Sequence, residues 1–258
     1  MSTQIVIVGY HRSGTSAIAQ NCQAAGLYVG DDLLGATPTN PFGHYEDREF
    51  FEINELILRL NFSLWHTPID FVPVLPCDVF KLASDMVSKR DAEHALWGFK
   101  DPRTCLLLDF WDSVLPDPRY LVCLRHYSAC VDSVMRRRVR DYYAAVEPGP
   151  ARIASEDMLN FNAICANWCV YMAGVLKFLT LRNPKALVIR VDRLVQNESV
   201  AARIGDQLGL DFAPITLGET FRPELFQGDE QPDLPLDPAL REIAEALWQQ
   251  LSVFESKG

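Results

Sequence analysis

The sequence predicts an α/β fold of three layers, with a mostly parallel central sheet between two layers of helices. Three observations favour this class: short β-branched apolar runs, helical patterns between them, and spacings long enough for a crossover after each run. Strands buried on both faces of a parallel sheet are continuously apolar, as these runs are. We expect a single domain over residues 1–258. The predicted strands are 4–8, 95–99, 119–124 and 186–191.

Helices are predicted between the strands, where apolar residues recur at helical spacing. The first follows Gly14 and ends at Gly26, and the second begins at Glu46 with acidic residues, which helix N-termini prefer. Segments rich in Gly, Pro, Asn or Asp are predicted as loops, at 31–45, 66–77 and 222–238. Further helical patterns cover 104–111, 126–143, 155–182, 198–208 and 238–253.

Composition excludes some classes of partner. A net charge of −10 argues against a general nucleic-acid or anionic-membrane binder, because both require a basic field. No run approaches the ~20 apolar residues of a membrane span, and residues 1–10 lack the features of a signal peptide. Seven scattered cysteines without C-x-x-C spacing are typical of reduced thiols. We therefore expect a cytoplasmic protein with no integral membrane segment and no metal.

A glycine-rich segment, VGYHRSGTSAIAQ (8–20), follows the first predicted strand. Gly9 and Gly14 have the spacing of the phosphate-binding loop G-x-x-x-x-G-K-[ST], but Thr15 replaces the lysine and Arg12 lies inside the loop. Inward N–H groups and a helix N-terminus make such a P-loop-like turn an anion site. Without the lysine, an NTPase or kinase would lose much of its transition-state stabilisation.

A second pair of residues lies at the third strand. Arg125 ends this strand, and Ser133 follows eight residues later on the next predicted helix. Eight residues correspond to a strand end plus about two helical turns, so both side chains can face one ligand. The alternative is a capping arginine and an ordinary helix serine.

The two motifs together resemble the sulfotransferases that use 3′-phosphoadenosine-5′-phosphosulfate (PAPS). The resemblance implies that Arg125 and Ser133 bind the 3′-phosphate of the donor, and that Arg12 bridges toward the sulfuryl group during transfer. The family's 5′-phosphosulfate loop, [KR]-S-G-T-[ST], corresponds here to Arg12, Ser13, Gly14, Thr15 and Ser16.

Segments 40–50 and 97–103 resemble the bacterial carbohydrate-type and protein-tyrosine-type members of this family. The cytosolic small-molecule branch differs at two places. Its base histidine corresponds to Pro102 here, and its adenine-stacking tryptophan corresponds to Ala17. The resemblance covers residues 4–195 and fades in the last sixty residues.

Sulfuryl transfer needs a base for the acceptor hydroxyl and cations for the sulfonate and the leaving phosphate, and it needs no metal if loop amides help. Glu46 is the first candidate for the base, because carbohydrate-type relatives use a glutamate from this region; its alternative role is that of an acid at a helix N-terminus. His44 is the second candidate. Lys100 is expected on the sulfuryl or leaving-group side.

Three other titratable residues have weaker claims. Asp101 could be a base or an orienting acid, although Asp-Pro is also a common turn pair. His126 is expected to pack or cap, and His11 to contact solvent. The segment RRRVRDYY (136–143) is either a solvated face or an acceptor-side patch for an anionic sugar or phosphate.

The resemblance predicts a PAPS-dependent sulfotransferase acting on a hydroxyl of a carbohydrate, glycolipid or other natural product, with loops 31–45, 62–80 and 140–155 shaping the acceptor site. One alternative is an ATP-dependent small-molecule kinase, against which the missing lysine and the Arg125–Ser133 pair argue. The other is a non-catalytic nucleotide-binding module, against which the intact Arg12–Ser16 loop argues.

Overall fold

The computed structural model describes residues 2–35, 43–67, 71–144, 159–194, 199–220 and 231–255. Within these residues, four parallel strands form one sheet in the order β2-β1-β3-β4. This confirms the α/β class and the four strands predicted from β-branched runs. The strands are β1 (Thr3–Val8), β2 (Leu96–Lys100), β3 (Pro118–Leu124) and β4 (Ala186–Arg190).

Helices connect and cover these strands. The 3₁₀ helices in the described residues are Pro102–Leu106 and Val191–Arg193. The α-helices are α1 (Thr15–Ala24), α2 (Arg48–Leu60), α3 (Cys77–Glu93), α4 (Leu108–Val114), α5 (Tyr127–Ala144), α6 (Phe161–Arg182), α7 (Val200–Leu208), α8 (Leu217–Thr220) and α9 (Pro238–Ser252).

Two hydrophobic cores lie on opposite faces of the sheet. Because side chains alternate along a strand, Ile5 and Ile7 enter one core, whereas Val6 and Val8 enter the other. The first core is completed by α1, α7 and α8, and the second by α2 to α6 and α9. The result is the three-layer arrangement that the sequence predicts. Helix α9 belongs to the second core through Trp248 and Leu251, so the C-terminal segment packs on the body of the fold.

The helices differ from the sequence predictions in several places. The short helix α8 was not predicted, and α6 begins at Phe161, later than the predicted start at 155. Helix α3 was not predicted, because most of its surface is polar and only Val79, Ala83, Val87 and Arg90 are buried. The helix predicted over 104–111 is instead a 3₁₀ helix and α4, separated at Leu107. The 3₁₀ helix begins two residues earlier than predicted, because the Asp101 side chain caps it by accepting a hydrogen bond from the Arg103 N–H.

Among the described residues, α6 is long and apolar enough to cross a membrane by length and composition, with a mean hydropathy of 1.5. The prediction that no segment approaches this limit was wrong. Over half of that apolar stretch (56%) is buried inside the protein, and Cys165, Trp168 and Val175 are fully enclosed. A core helix that other elements surround is apolar on most of its surface, just as a membrane-spanning helix is apolar where lipid surrounds it.

Candidate active site

The candidate site lies at the carboxyl ends of β1 and β3. In the order β2-β1-β3-β4, the chain leaves β1 toward β2 and then crosses back to β3, so the strand order reverses beside β1. In open α/β sheets, ligands bind at the carboxyl ends of the strands at such a reversal. The loop between β1 and α1 and the start of α5 both lie at this edge.

The loop that follows β1 has a constrained backbone. Gly14 has a φ of 87°, and a Cβ there would lie 2.5 Å from Cγ1 of Val191, so this position requires glycine. Arg12 has a φ of 68°, a left-handed conformation that costs about 1–2 kcal/mol for a residue with a side chain. Its carbonyl accepts a hydrogen bond of 3.1 Å from Nη1 of Arg125. Strain of this kind is concentrated at ligand sites.

The structure brings the two sequence motifs into contact. Nε of Arg12 donates a hydrogen bond of 3.1 Å to Oγ of Ser133, and Arg125 binds the backbone of the same arginine. Ser133 is 121 residues from Arg12 in sequence, so no local pattern dictates this contact. Oγ of Ser13 is buried and has no hydrogen-bond partner among the described residues. Such an orphaned hydroxyl in a glycine-rich loop is available to a ligand.

Ser16 is engaged in a different contact. Its hydroxyl donates a hydrogen bond of 3.0 Å to the carbonyl of His44, which ties the segment before α2 to the glycine-rich loop. Thr15 is buried at the first position of α1. The five predicted loop residues therefore share one turn but use their side chains differently.

The charge around Arg12 favours an anion. Burial lowers the pKa of Arg12, and the neighbouring cations Arg137, Arg125 and Arg140 lower it further. A buried guanidinium beside other guanidinium groups is stabilised by any anion that enters.

Glu46 forms an ion pair with Lys100. Its Oε1 lies 2.6 Å from Nζ of Lys100, and both side chains are less than a tenth exposed. Glu46 does not serve as the acid at the start of α2, because Asp47 caps that helix by accepting a hydrogen bond of 2.9 Å from the Glu49 N–H. The alternative role considered for Glu46 is thus taken by its neighbour.

Two histidines of this region are neutral at pH 7. Burial lowers the pKa of His44 to about 4, with Arg137, Lys100, Arg103 and Arg12 contributing further. Nδ1 of His44 lies 3.6 Å from Oε2 of Glu46. His11, predicted to contact solvent, is partly exposed and lines the pocket described below, but it also contacts the rings of Tyr10, Trp65 and Tyr171, and burial lowers its pKa well below the usual value.

Two further candidates have structural roles. Asp101 is fully buried and accepts hydrogen bonds from Asn54 Nδ2 (3.0 Å) and Arg103 Nε (3.1 Å). Burial raises the pKa of Asp101. Asp101 therefore holds Arg103 in place. His126 contacts Oγ of Ser128 at 2.8 Å and packs edge-on against Trp248, which agrees with packing or capping.

A pocket of about 260 Å³ opens beside Arg12 and Glu46. Arg103 and Trp65 line the pocket, although the sequence analysis did not select them as site residues. Arg103 could have been selected because it directly follows Lys-Asp-Pro, whereas no sequence pattern marks Trp65. Lys100 does not line the pocket itself; it is paired with Glu46, which does. The lining residues are His11, Arg12, Leu34, His44, Glu46, Phe51, Trp65, Arg103, Val134, Arg137, Arg138 and Asp141.

The arginine row on α5 is divided between two environments. Arg137 and Arg138 line the pocket, whereas Arg136 and Arg140 are exposed. Nη2 of Arg136 lies 2.7 Å from the Asp132 carboxylate, an i,i+4 surface pair. The solvated-face interpretation thus fits Arg136 and Arg140, whereas Arg137 and Arg138 face the pocket.

No protein-family profile and no curated protein matches this chain. Among solved structures, the chain is similar to the sulfotransferase domain from the olefin synthase of Synechococcus PCC 7002. The two share 18% sequence identity with a TM-score of 0.55, over 97% of this chain and 94% of the neighbour. At this identity the likeness shows a common α/β fold. The reaction has to be argued from the site itself.

Proposed function

We propose that the protein is a PAPS-dependent sulfotransferase, which transfers a sulfuryl group to a hydroxyl of a carbohydrate, glycolipid or other natural product. One observation carries the proposal. Arg12, inside the loop, contacts Ser133 at 3.1 Å while Arg125 binds the Arg12 carbonyl, so both motifs of the resemblance meet at one place. The shared fold with a sulfotransferase domain supports the same conclusion.

The residues at this edge fit an anionic donor. The turn at Gly14, the orphaned Oγ of Ser13 and the buried Arg12 together form a cradle for a phosphate or phosphosulfate. We assign the 5′-phosphosulfate to the loop Arg12–Ser16 and the 3′-phosphate to Arg125 and Ser133. A 3′-phosphate distinguishes PAPS from ATP, so the second assignment separates a sulfotransferase from a kinase.

The proposed reaction uses Glu46 as the general base. Its carboxylate takes the proton of the acceptor hydroxyl as the acceptor oxygen forms a bond to sulfur, and the bond from sulfur to the phosphate oxygen of the donor breaks. The products are a sulfate ester and 3′,5′-adenosine bisphosphate. Arg12 offsets the negative charge at the sulfuryl group, and Lys100 offsets the negative charge that develops on the leaving phosphate. Because Lys100 lies 2.6 Å from Glu46, base and cation are adjacent before substrates bind.

His44 is the alternative base. With a pKa of about 4 it is neutral at pH 7, but it is a weaker base than an ordinary imidazole. Its Nδ1 lies 3.6 Å from Glu46, so it can also help to orient that carboxylate. We therefore assign proton transfer to Glu46.

The proposal extends to branch, organisation and location. We place the protein with the bacterial carbohydrate-type and protein-tyrosine-type members, because Pro102 and Ala17 stand where the cytosolic small-molecule branch has its histidine and tryptophan. We further propose a single cytoplasmic domain over residues 1–258 that uses no metal. Among the described residues, no group of His, Cys, Asp and Glu side chains forms a metal site.

Two experiments test the function. Thermal unfolding with PAPS, with ATP and without nucleotide should show stabilisation by PAPS alone, worth ~2.7 kcal/mol at a hundredfold excess over Kd. Stabilisation by ATP alone would favour the kinase, and stabilisation by neither nucleotide would contradict both. Incubation with ³⁵S-labelled PAPS and cell extracts should then transfer the label to an acceptor, whereas Arg12→Ala should transfer far less and Arg136→Ala as much as the wild type.

A further inference from the structure

The charged residues that line the pocket can be assigned to partners one at a time. Arg103 is held by Asp101 and by Glu55, whose Oε1 lies 3.1 Å from its Nη1. Glu46 is paired with Lys100. These contacts neutralise the wall of the pocket nearest to β2, and none of them needs a ligand.

The wall formed by α5 is only partly neutralised. Nε of Arg137 lies 3.7 Å from the carboxylate of Asp141, whereas Arg138 forms no ion pair with any residue that the structure describes. Two cations of the pocket therefore lack a carboxylate partner within the described ranges, Arg12 and Arg138. The proposed function assigns Arg12 to the donor and leaves Arg138 without a role.

Arg138 is positioned by Trp65. Its guanidinium carbon lies over the Trp65 ring, 4.5 Å from the ring centroid, in a cation–π contact. The N–H groups on its edge stay available for a planar acceptor such as a carboxylate or phosphate. Burial lowers the pKa of Arg138, and Asp141 only partly opposes this, so an anion beside the group would be stabilised.

The position of Arg138 separates it from the donor site. It follows Ser133 by five residues on α5, about 7.5 Å further along the helix axis. The apolar side chains of Leu34, Phe51 and Val134 line the same pocket. A ligand that reaches Arg138 can therefore place an uncharged part against these residues.

We propose that Arg138 binds an anionic group, a carboxylate, phosphate or sulfate, that the acceptor carries in addition to its reacting hydroxyl. The inference rests on the proposed function and narrows its substrate class to hydroxylated organic anions. Arg137 lines the same wall and is a second contact for the anionic group. It ranks after Arg138 because its guanidinium is already close to the Asp141 carboxylate. Arg136 and Arg140 remain solvated and take no part.

The test compares two probes that differ in one charge. 4-Hydroxyphenylacetate and its neutral amide share a hydroxyl and a ring, and each is titrated by ligand-observed NMR into the full chain saturated with 3′,5′-adenosine bisphosphate. The wild type should bind the carboxylate at least tenfold more tightly than the amide. Arg138→Gln should abolish this preference, and Arg138→Lys should restore part of it. The matched control Arg140→Gln, which removes an exposed arginine of the same helix, should keep it.

Three results would overturn the inference: equal binding or no binding of the two probes by the wild type, a preference that survives without loss in a folded Arg138→Gln variant, or an Arg138→Gln variant that loses affinity for the bisphosphate. The last would assign Arg138 to the donor. Inorganic phosphate should bind at least tenfold more weakly than the carboxylate probe because it cannot contact the apolar wall, and equal affinity would contradict an organic acceptor. Failure of the bisphosphate to bind the wild type would contradict the proposed function instead, and the probe pair titrated without nucleotide would still test Arg138.

Discussion

The sheet carries a buried polar cluster at each end, and the two clusters differ in whether their hydrogen bonds are complete. At the amino end, Gln4 is fully buried, donates to Oδ1 of Asp91 at 2.7 Å and accepts from the Asp117 N–H at 2.9 Å. The Trp97 indole also donates to Asp91, at 2.8 Å. At the carboxyl end, Oγ of Ser13 has no partner among the described residues.

This difference in hydrogen bonding distinguishes polar groups that stabilise the fold from polar groups that are available to a ligand. Gln4 connects three chain segments through hydrogen bonds made within the protein, as expected of a cluster that fixes how the strands assemble. The carboxyl end has surplus cations, a strained Arg12 and a pocket. We therefore expect substitutions at the carboxyl end to change catalysis and those at the amino end to change only stability.

The largest effect is expected at Glu46. Glu46→Gln keeps the shape of the side chain but removes the base, so sulfuryl transfer should fall by roughly 10²–10⁴ while the affinity for the bisphosphate is preserved. Single-turnover transfer and calorimetry measure the two quantities. Glu49→Gln, which alters a neighbouring acid that contacts Arg90, is the control and should keep full activity. A loss of this size in His44→Ala but not in Glu46→Gln would identify His44 as the base.

The next effect is expected at Arg12. Its removal takes away a charge at the sulfuryl group, so Arg12→Ala should lower turnover by ~10²–10³ and weaken binding of the desulfated bisphosphate much less. The ratio of the two changes, from steady-state kinetics and calorimetry, is the measurement. Turnover close to that of the wild type would remove Arg12 from the mechanism.

At the amino end, Gln4→Leu should reduce stability without affecting the site. The substitution leaves the Asp117 N–H and part of the Asp91 carboxylate without partners, which costs about 1–3 kcal/mol. Urea unfolding measures this loss. Thr3→Val, which removes only one hydrogen bond of 3.3 Å to Asp117, should cost less. A fall in transfer rate in a folded Gln4→Leu protein would contradict the division between the two ends.

The smallest effect is a pH dependence at His44. Its pKa is about 4 in the folded protein and 6.5 in the unfolded chain, so the unfolded state binds more protons between these values and stability is lost as pH falls below 6.5. From pH 7 to pH 5 this contributes about 1–2 kcal/mol of lost stability. His44→Gln should remove that part of the loss in urea unfolding at the two pH values. An identical loss in both proteins would show that His44 is not the group responsible.

The elements that local chemistry dictates were predictable from the sequence, whereas contacts between distant segments were not. The β-branched run of β1 and the spacing of Gly9 and Gly14 identified the first strand and its loop. Helix α3 was missed because its polar surface hides the few apolar residues that face the core. The pairing of Glu46 with Lys100 spans 54 residues and depends on how α2 packs near the end of β2.

The residues that line the pocket were also not predictable from local sequence patterns. Arg137 and Arg138 are adjacent to Arg136 in sequence, yet only the first two line the pocket, because the direction that each side chain takes depends on the packing of α5. The position of Trp65 beneath Arg138 depends on a loop whose sequence has no recognisable pattern. The wall of the pocket formed by α5 and Trp65 could therefore not be predicted from the sequence, whereas the glycine-rich loop after β1 could.

The most direct test of the central claim, that Arg125 and Ser133 complete a donor site with the loop of Arg12, is a calorimetric titration of 3′,5′-adenosine bisphosphate and 5′-AMP. A charge-assisted arginine–phosphate contact is worth ~1.5–3 kcal/mol, so the wild type should bind the bisphosphate at least tenfold more tightly. Arg125→Ala should lose most of this preference with little change in 5′-AMP binding, and Arg125→Lys should recover only part of it. Equal binding of the two nucleotides by the wild type would contradict the claim.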